Sequence, residues 1–181
     1  MHSVWARANA LFFYMLTALA GVAIFCDLSS LIIEKAMPHT NVLDVDIKSL
    51  AHTRGHHYSF DEAKLRFSID CDFSSMFNWN VKQLFVYVQA SYISPKKVEN
   101  RLVLWDQIMP RDSNHKIRLD QQLPEYKLYD ILSELGQANM TVSIHCDVMP
   151  SVGLLHSRHG HSHVLTLPET SNAHKRSPKG K

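Results

Sequence analysis

At 181 residues the chain has room for one ordinary domain, with or without an appendage. Nineteen Lys and Arg against 17 Asp and Glu leave a formal charge of +2, which gives no basis for an extended nucleic-acid face. Six Gly, seven Pro and three Cys exclude collagen-like chains and disulfide-dense miniproteins, and 45% hydrophobic residues exclude global disorder.

The apolar residues are unevenly spread. From Ala8 to Cys26 no residue is charged, and only Asn9 and Thr17 are clearly polar. As a helix these 19 residues span about 28 Å, close to the roughly 30 Å of bilayer hydrocarbon. Leu28 and Leu31 to Ile33 carry the apolar character past Asp27, so the expected helix covers 8–33. Trp5 stands where an interfacial ring belongs. A soluble core helix would show a polar face, and this segment has none. A cleaved signal peptide has support in Ala18-Leu19-Ala20 before Gly21, an A-x-A-like site. Cleavage there would leave the greasy terminus Gly21 to Cys26, which favours the third reading, an uncleaved signal anchor. Arg7 precedes the span, whereas Asp27 and Glu34 follow it. The positive-inside rule then puts residues 1–7 in the cytosol and the remainder across the membrane.

From Pro38 the period changes to two. Leu43, Val45 and Ile47 alternate with polar residues. So do Leu65, Phe67, Ile69, Cys71 and Phe73, and likewise Met140, Val142, Ile144, Cys146 and Val148. This is the pattern of strands with one buried face. Leu84–Val88 reads as a central strand, and Leu102–Trp105, His115–Leu119 and Val164–Leu167 as three more. Turn chemistry separates them at Ser94-Pro95-Lys96, Pro110–Asn114, Gly136 and Pro150. One short helical turn is expected near Tyr129–Leu135. About seven strands between residues 40 and 168 predict a mainly β chain with an antiparallel sandwich over 34–168. Residues 169–181, which include five basic or imidazole side chains from His174 onward, read as a solvated, disordered tail that acidic lipid heads or an acidic partner would attract.

The block Met76-Phe77-Asn78-Trp79-Asn80-Val81-Lys82-Gln83-Leu84-Phe85-Val86-Tyr87-Val88 resembles a signature stretch of the signal peptidase complex subunit 3 family. Phe67–Asp70, Val103–Asp106 with Ile108, Asn139–Thr141, Val148–Pro150 and Gly153-Leu154 resemble its other blocks in the same order. The likeness extends to about Pro168. The chain departs from the family at Tyr129–Gly136, in its histidine-rich stretch and in its basic tail, as a divergent member. The resemblance implies a cytosolic amino terminus, one transmembrane helix and a β-sandwich in the lumen of the endoplasmic reticulum. It also implies a non-catalytic subunit that supports removal of signal peptides. The implied partners are the catalytic serine-type subunit, two small membrane subunits and membrane lipid, in a hetero-oligomer without cofactor or nucleic acid.

Several residues invite chemistry. Asn139-Met140-Thr141 is an N-glycosylation sequon beside a loop on the expected lumenal side. Cys71 and Cys146 fall on apolar strand phases, either as two small core residues or as a disulfide in an oxidising lumen. His156, His159, His161 and His163 suggest a metal, but alternate with Ser, Arg and Gly without a carboxylate nearby, so a wet loop is expected and no metal site assigned. Asp70 and Asp72 share a polar strand phase, the expectation for a solvated face. Ser75-Met76 lacks the rest of a serine signal-peptidase motif, and no G-x-S-x-G, P-loop or H-E-x-x-H occurs, so no catalytic residue is assigned. Phe77, Asn78, Trp79 and Asn80 are the expected partner contact, against the alternative that the two aromatics fill the core. Two other functions stay open: a secreted or membrane-anchored β-sandwich binding a different lumenal or extracellular partner, and a lumenal metal-binding protein.

Overall fold

The computed structural model describes residues 3–33, 42–54, 59–94, 96–130, 135, 139–168 and 171–172. Helix α1 covers Val4–Ile33. Ser3 caps it, its Oγ accepting from the Ala6 N–H at 3.2 Å. The helix holds no Pro, and its hydroxyls donate back to its own carbonyls: Thr17 to Tyr14 and Ser29 to Cys26, each at 2.9 Å. Such bonding keeps polar side chains satisfied without water. Apolar side chains stand exposed around the whole circumference, as suits lipid and not an aqueous core.

Nine strands follow among the described residues: β1 (Val42–Arg54), β2 (Ser59–Asp72), β3 (Val81–Ile93), β4 (Glu99–Pro110), β5 (Lys116–Gln122), β6 (Leu128–Asp130), β7 (Asn139–Pro150), β8 (His156–Thr166) and β9 (Ser171–Asn172). One sheet runs β5-β2-β1-β9, with β6 also pairing with β2; the other runs β4-β3-β7-β8. Every pairing is antiparallel except β1 with β9.

The apolar phases of both sheets meet in one core. Leu65, Phe67, Ile69 and Cys71 come from β2, Leu84, Val86, Val88 and Ala90 from β3, and Met140, Val142, Ile144 and Cys146 from β7. Phe67 of one sheet meets Trp105 of the other with ring centroids 6.4 Å apart. Leu104 and Trp105 are adjacent yet both buried, because a bulge opposite Val88 and Gln89 inserts an extra residue and turns both inward.

Three expectations are corrected. Leu128–Asp130 is strand β6, not the start of a helical turn: it alternates buried, exposed, buried and pairs with Asp61–Ala63. Residues 131–134 and 136–138 lie outside the described residues, as does Pro95. The histidine stretch is the body of edge strand β8 and not a loop before a strand. Ser171–Asn172, placed in the tail by sequence, form β9 beside Ala51–His52; residues 173–181 lie outside the described residues.

Phe67→Ala empties the centre of this core. It is expected to lower stability by about 3–5 kcal/mol, read as a lower urea midpoint for the detergent-solubilised protein.

Candidate functional site at the helix–sandwich junction

One end of the sandwich gathers the segment before β3, the β4–β5 turn and the β7–β8 loop. At this end the chain makes contact with its own helix. Phe73 and Met76 plug the core from a single 3-10 turn, Ser74–Met76, which the Asp72 carboxylate initiates by accepting from the Ser74 N–H at 2.9 Å. Phe77 then stacks on His115, ring centroids 3.9 Å apart.

Asn78 closes an Asx turn. Its Oδ1 accepts from the N–H groups of Asn80 and Val81, at 2.9 and 3.1 Å. Its Nδ2 donates to Ser30 Oγ of α1 at 3.4 Å. Asn80 is buried and reads the backbone of Val152 from both sides, donating to its carbonyl at 2.7 Å and accepting from its N–H at 3.1 Å. The Asn80 carbonyl also accepts from the Ser151 N–H at 2.7 Å. Arg111, at the start of the β4–β5 turn, straps this segment: its guanidinium donates to the carbonyls of Val81, at 2.7 and 3.0 Å, and of Asn78.

The loop held by Asn80 touches the helix. Leu154 N–H donates to Asp27 Oδ1 at 3.2 Å, and His156 Nε2 lies 3.9 Å from the same oxygen. Gly153 has φ +115°, and a Cβ there would fall 1.9 Å from that oxygen. Only glycine meets both demands at this position. Asp27 is the one acid in the first 33 residues, and the sandwich supplies its hydrogen-bond donor.

The residues singled out by sequence are therefore divided. Asn78 and Asn80 bond within the chain, Phe77 is half-buried on His115, and Trp79 between the asparagines is exposed. Asn139 is exposed at the opposite end, its Oδ1 accepting from Thr166 Oγ1 at 3.0 Å. Cys71 and Cys146 are buried on the inner faces of β2 and β7, one in each sheet. Asp70 and Asp72 each face a cation on β5, Arg118 at 3.1 Å and Lys116 at 3.4 Å.

The histidines do not converge. A bulge between the pairs Ser143–Ser162 and His145–His159 changes the phase of β8, so His159 and His163 pair with residues of opposite faces of β7. Sequence reading missed His145. It is buried on the outer face of β7, bonded through Nε2 to Ser143 Oγ and through Nδ1 to His159 Nδ1, both at 2.7 Å, with Tyr87 stacked on it at 5.0 Å. Two ring nitrogens share one hydrogen bond only if one donates and the other accepts, so at least one of these imidazoles is neutral. Serine, imidazole and a second imidazole form a relay in geometry. The β7 backbone beside it pairs with β3 on one side and, on either side of the bulge, with β8 on the other. Among the described residues no group of three or more His, Cys, Asp or Glu has the arrangement to hold a metal ion.

Together these features define a class: an antiparallel β-sandwich latched to a helix long and apolar enough to cross a bilayer. The sequence profile of the signal peptidase subunit family matches residues 1–170, helix and sandwich alike, and the chain belongs to that family. Signal peptidase complex subunit 3 of Gallus gallus is 32% identical over 173 residues, 94% of this chain and 96% of its own length. The protein of that name from Homo sapiens is 31% identical over the same shares. That from Caenorhabditis elegans is 35% identical over 159 residues, 86% of this chain and 87% of its own.

Gly153→Ala is expected to destabilise the protein by about 1–3 kcal/mol through its left-handed backbone, with a further loss from displacing Asp27. Asp27→Ala in the same chain restores only that further part, a coupling that thermal unfolding in detergent measures. Burial, and next the neighbouring His159, hold the His145 imidazole below its ordinary value. Folding thus favours neutral His145: its contribution is complete above about pH 6.5 and declines as the pH falls toward the lowered folded value. His145→Gln is expected to flatten that acid limb of the unfolding profile.

Proposed function

We propose that this chain is an accessory subunit of the signal peptidase complex, resident in the membrane of the endoplasmic reticulum. The observation that carries this is the end-to-end family match, which takes in both the apolar helix and the sandwich. In this reading α1 is a signal anchor with residues 1–7 in the cytosol, 8–33 in the membrane and the sandwich over 34–168 in the lumen. Arg7 before the span and Asp27 after it support that orientation.

The role is positional. The helix docks among partner helices, and the sandwich braces the catalytic subunit at the lumenal face while contributing no catalytic group of its own. The partners are the catalytic subunit and the two small membrane subunits. A lumenal sandwich also carries two further assignments. Asn139 carries a glycan: β7 runs 12 residues from it to Pro150, placing the sequon roughly 35–40 Å from the junction at about 3.4 Å per residue. Cys71 and Cys146, buried on the inner faces of the two sheets, form a disulfide across the core in this reading.

Affinity capture of the tagged chain from solubilised microsomes is expected to bring down the catalytic and both small subunits, and loss of the chain to leave secretory precursors uncleaved. Capture of an unrelated lumenal protein without those subunits would overturn the assignment. On the same gels, Asn139→Gln is expected to abolish an endoglycosidase-sensitive mobility step. Non-reducing lanes after thiol alkylation check the cysteine bridge: no reductant-dependent shift means that it does not form.

A further inference from the structure

The latch at Asp27 fixes how deep the sandwich sits. If the uncharged run Ala8–Cys26 occupies the hydrocarbon, Asp27 marks its boundary. The helix continues six residues further to Ile33, about 9 Å at 1.5 Å per residue. The β7–β8 loop nonetheless reaches back along these last two turns to bond Asp27 itself. Its tip is therefore at the depth where headgroups meet acyl chains, not above the membrane.

The side chains at that depth are apolar and uncovered. Val152 is 41% exposed, Leu154 70%, Leu155 53% and Trp79, on the adjoining loop, 54%. The two loops move as one unit because Asn80 binds Val152 through both of its polar atoms, while Asn78 and Leu154 fasten them to Ser30 and Asp27. In water such a patch on two rigid loops is unfavourable. At a lipid boundary the leucines remove apolar area from water, and an indole is at its preferred level.

We propose that the membrane-proximal end of the sandwich inserts Trp79, Val152, Leu154 and Leu155 into the phospholipid leaflet where α1 ends. The domain would then stand on the bilayer at two points, helix and loops, with its tilt and rotation fixed. This rests on α1 spanning the membrane. It explains why the β7–β8 loop sets a positive-φ glycine against the helix, and why Trp79 is left exposed between two asparagines that both turn inward.

Spin-label accessibility tests it. In a Cys26→Ser background, the full chain with its co-purifying subunits is placed in phosphatidylcholine nanodiscs. Single labels are introduced through Leu154→Cys, through Leu155→Cys as a second probe of the same loop, through Val98→Cys at the far turn and through Leu16→Cys in the span. Collision with oxygen reports lipid and collision with a water-soluble nickel complex reports water. The expected oxygen-to-nickel ratio at 154 and 155 is several-fold above that at 98. Labels at 154 and 155 shielded from both reagents would mean that a protein partner covers the loop, and would overturn the proposal. A water-like ratio there with a lipid-like ratio at 16 would overturn it while leaving the span intact. A water-like ratio at 16 would overturn the span and the proposal together.

Discussion

A single carboxylate that closes the uncharged run of helix α1 sets the geometry of the whole chain. A carboxylate packed between helix and sandwich gives up part of its hydration and needs a donor of its own. The Leu154 N–H supplies it, with His156 beside it. Because a main-chain N–H has one position, the bond fixes which helical face meets the sandwich and at what height. Ser30, one turn on and buried, gives a second point through Asn78. Two bonds to residues three apart lie on one helical face and hold the helix against rotation.

The sandwich can present those donors because its strands end together. β3 starts at Val81, β4 stops at Pro110, β5 begins at Lys116 and β7 stops at Pro150. Asn78, Asn80 and Arg111 tie these ends to one another by satisfying carbonyls and N–H groups that strand ladders leave over at a sheet's end. The junction is thus continuous with the core: Phe73 and Met76 are fully buried one turn away from Asn78. A disturbance of the core and a disturbance of the latch are the same disturbance seen at two points.

Much of this was legible as period two. β2 and β7 announce themselves because one face is apolar at every second residue, and those faces do make the core; β3 shows instead as the continuous apolar run Leu84–Val88. The His156–His163 part of β8 was not legible as strand, because at a sheet edge an alternation of His with Ser, Arg and Gly looks like a loop; only its end was, within Val164–Leu167. β6 is three residues long and owes its existence to β2. The Leu104–Trp105 bulge breaks the alternation, which sequence reading registers only as a short apolar run. The Phe77–Asn80 block stood out by resemblance, but its asparagines serve the chain's own turn and loop, a use that depends on partners up to 72 residues away. The Asp27–Leu154 contact joins residues 127 apart and has no local signal. What could have pointed to it is the pair of exceptions on either side: an acid ending an uncharged run, and a glycine followed by two leucines after a strand-ending proline.

The histidine pair shows the same economy on the opposite sheet face. His145 faces outward from a central strand yet is buried, because Tyr87 of β3 lies against its ring and His159 of β8 meets its edge. The contact draws three strands together through side chains where the β7–β8 ladder is interrupted by its bulge. A neutral imidazole suits this place better than lysine or a carboxylate, since it can donate at one nitrogen and accept at the other without carrying a charge under an aromatic ring. The stretch that looks most like a metal site in sequence is thus, in space, the edge of a sheet repaired by hydrogen bonds. The chain's one acid in its first 33 residues, by contrast, has its partner waiting on the sandwich. In both places polar chemistry serves position.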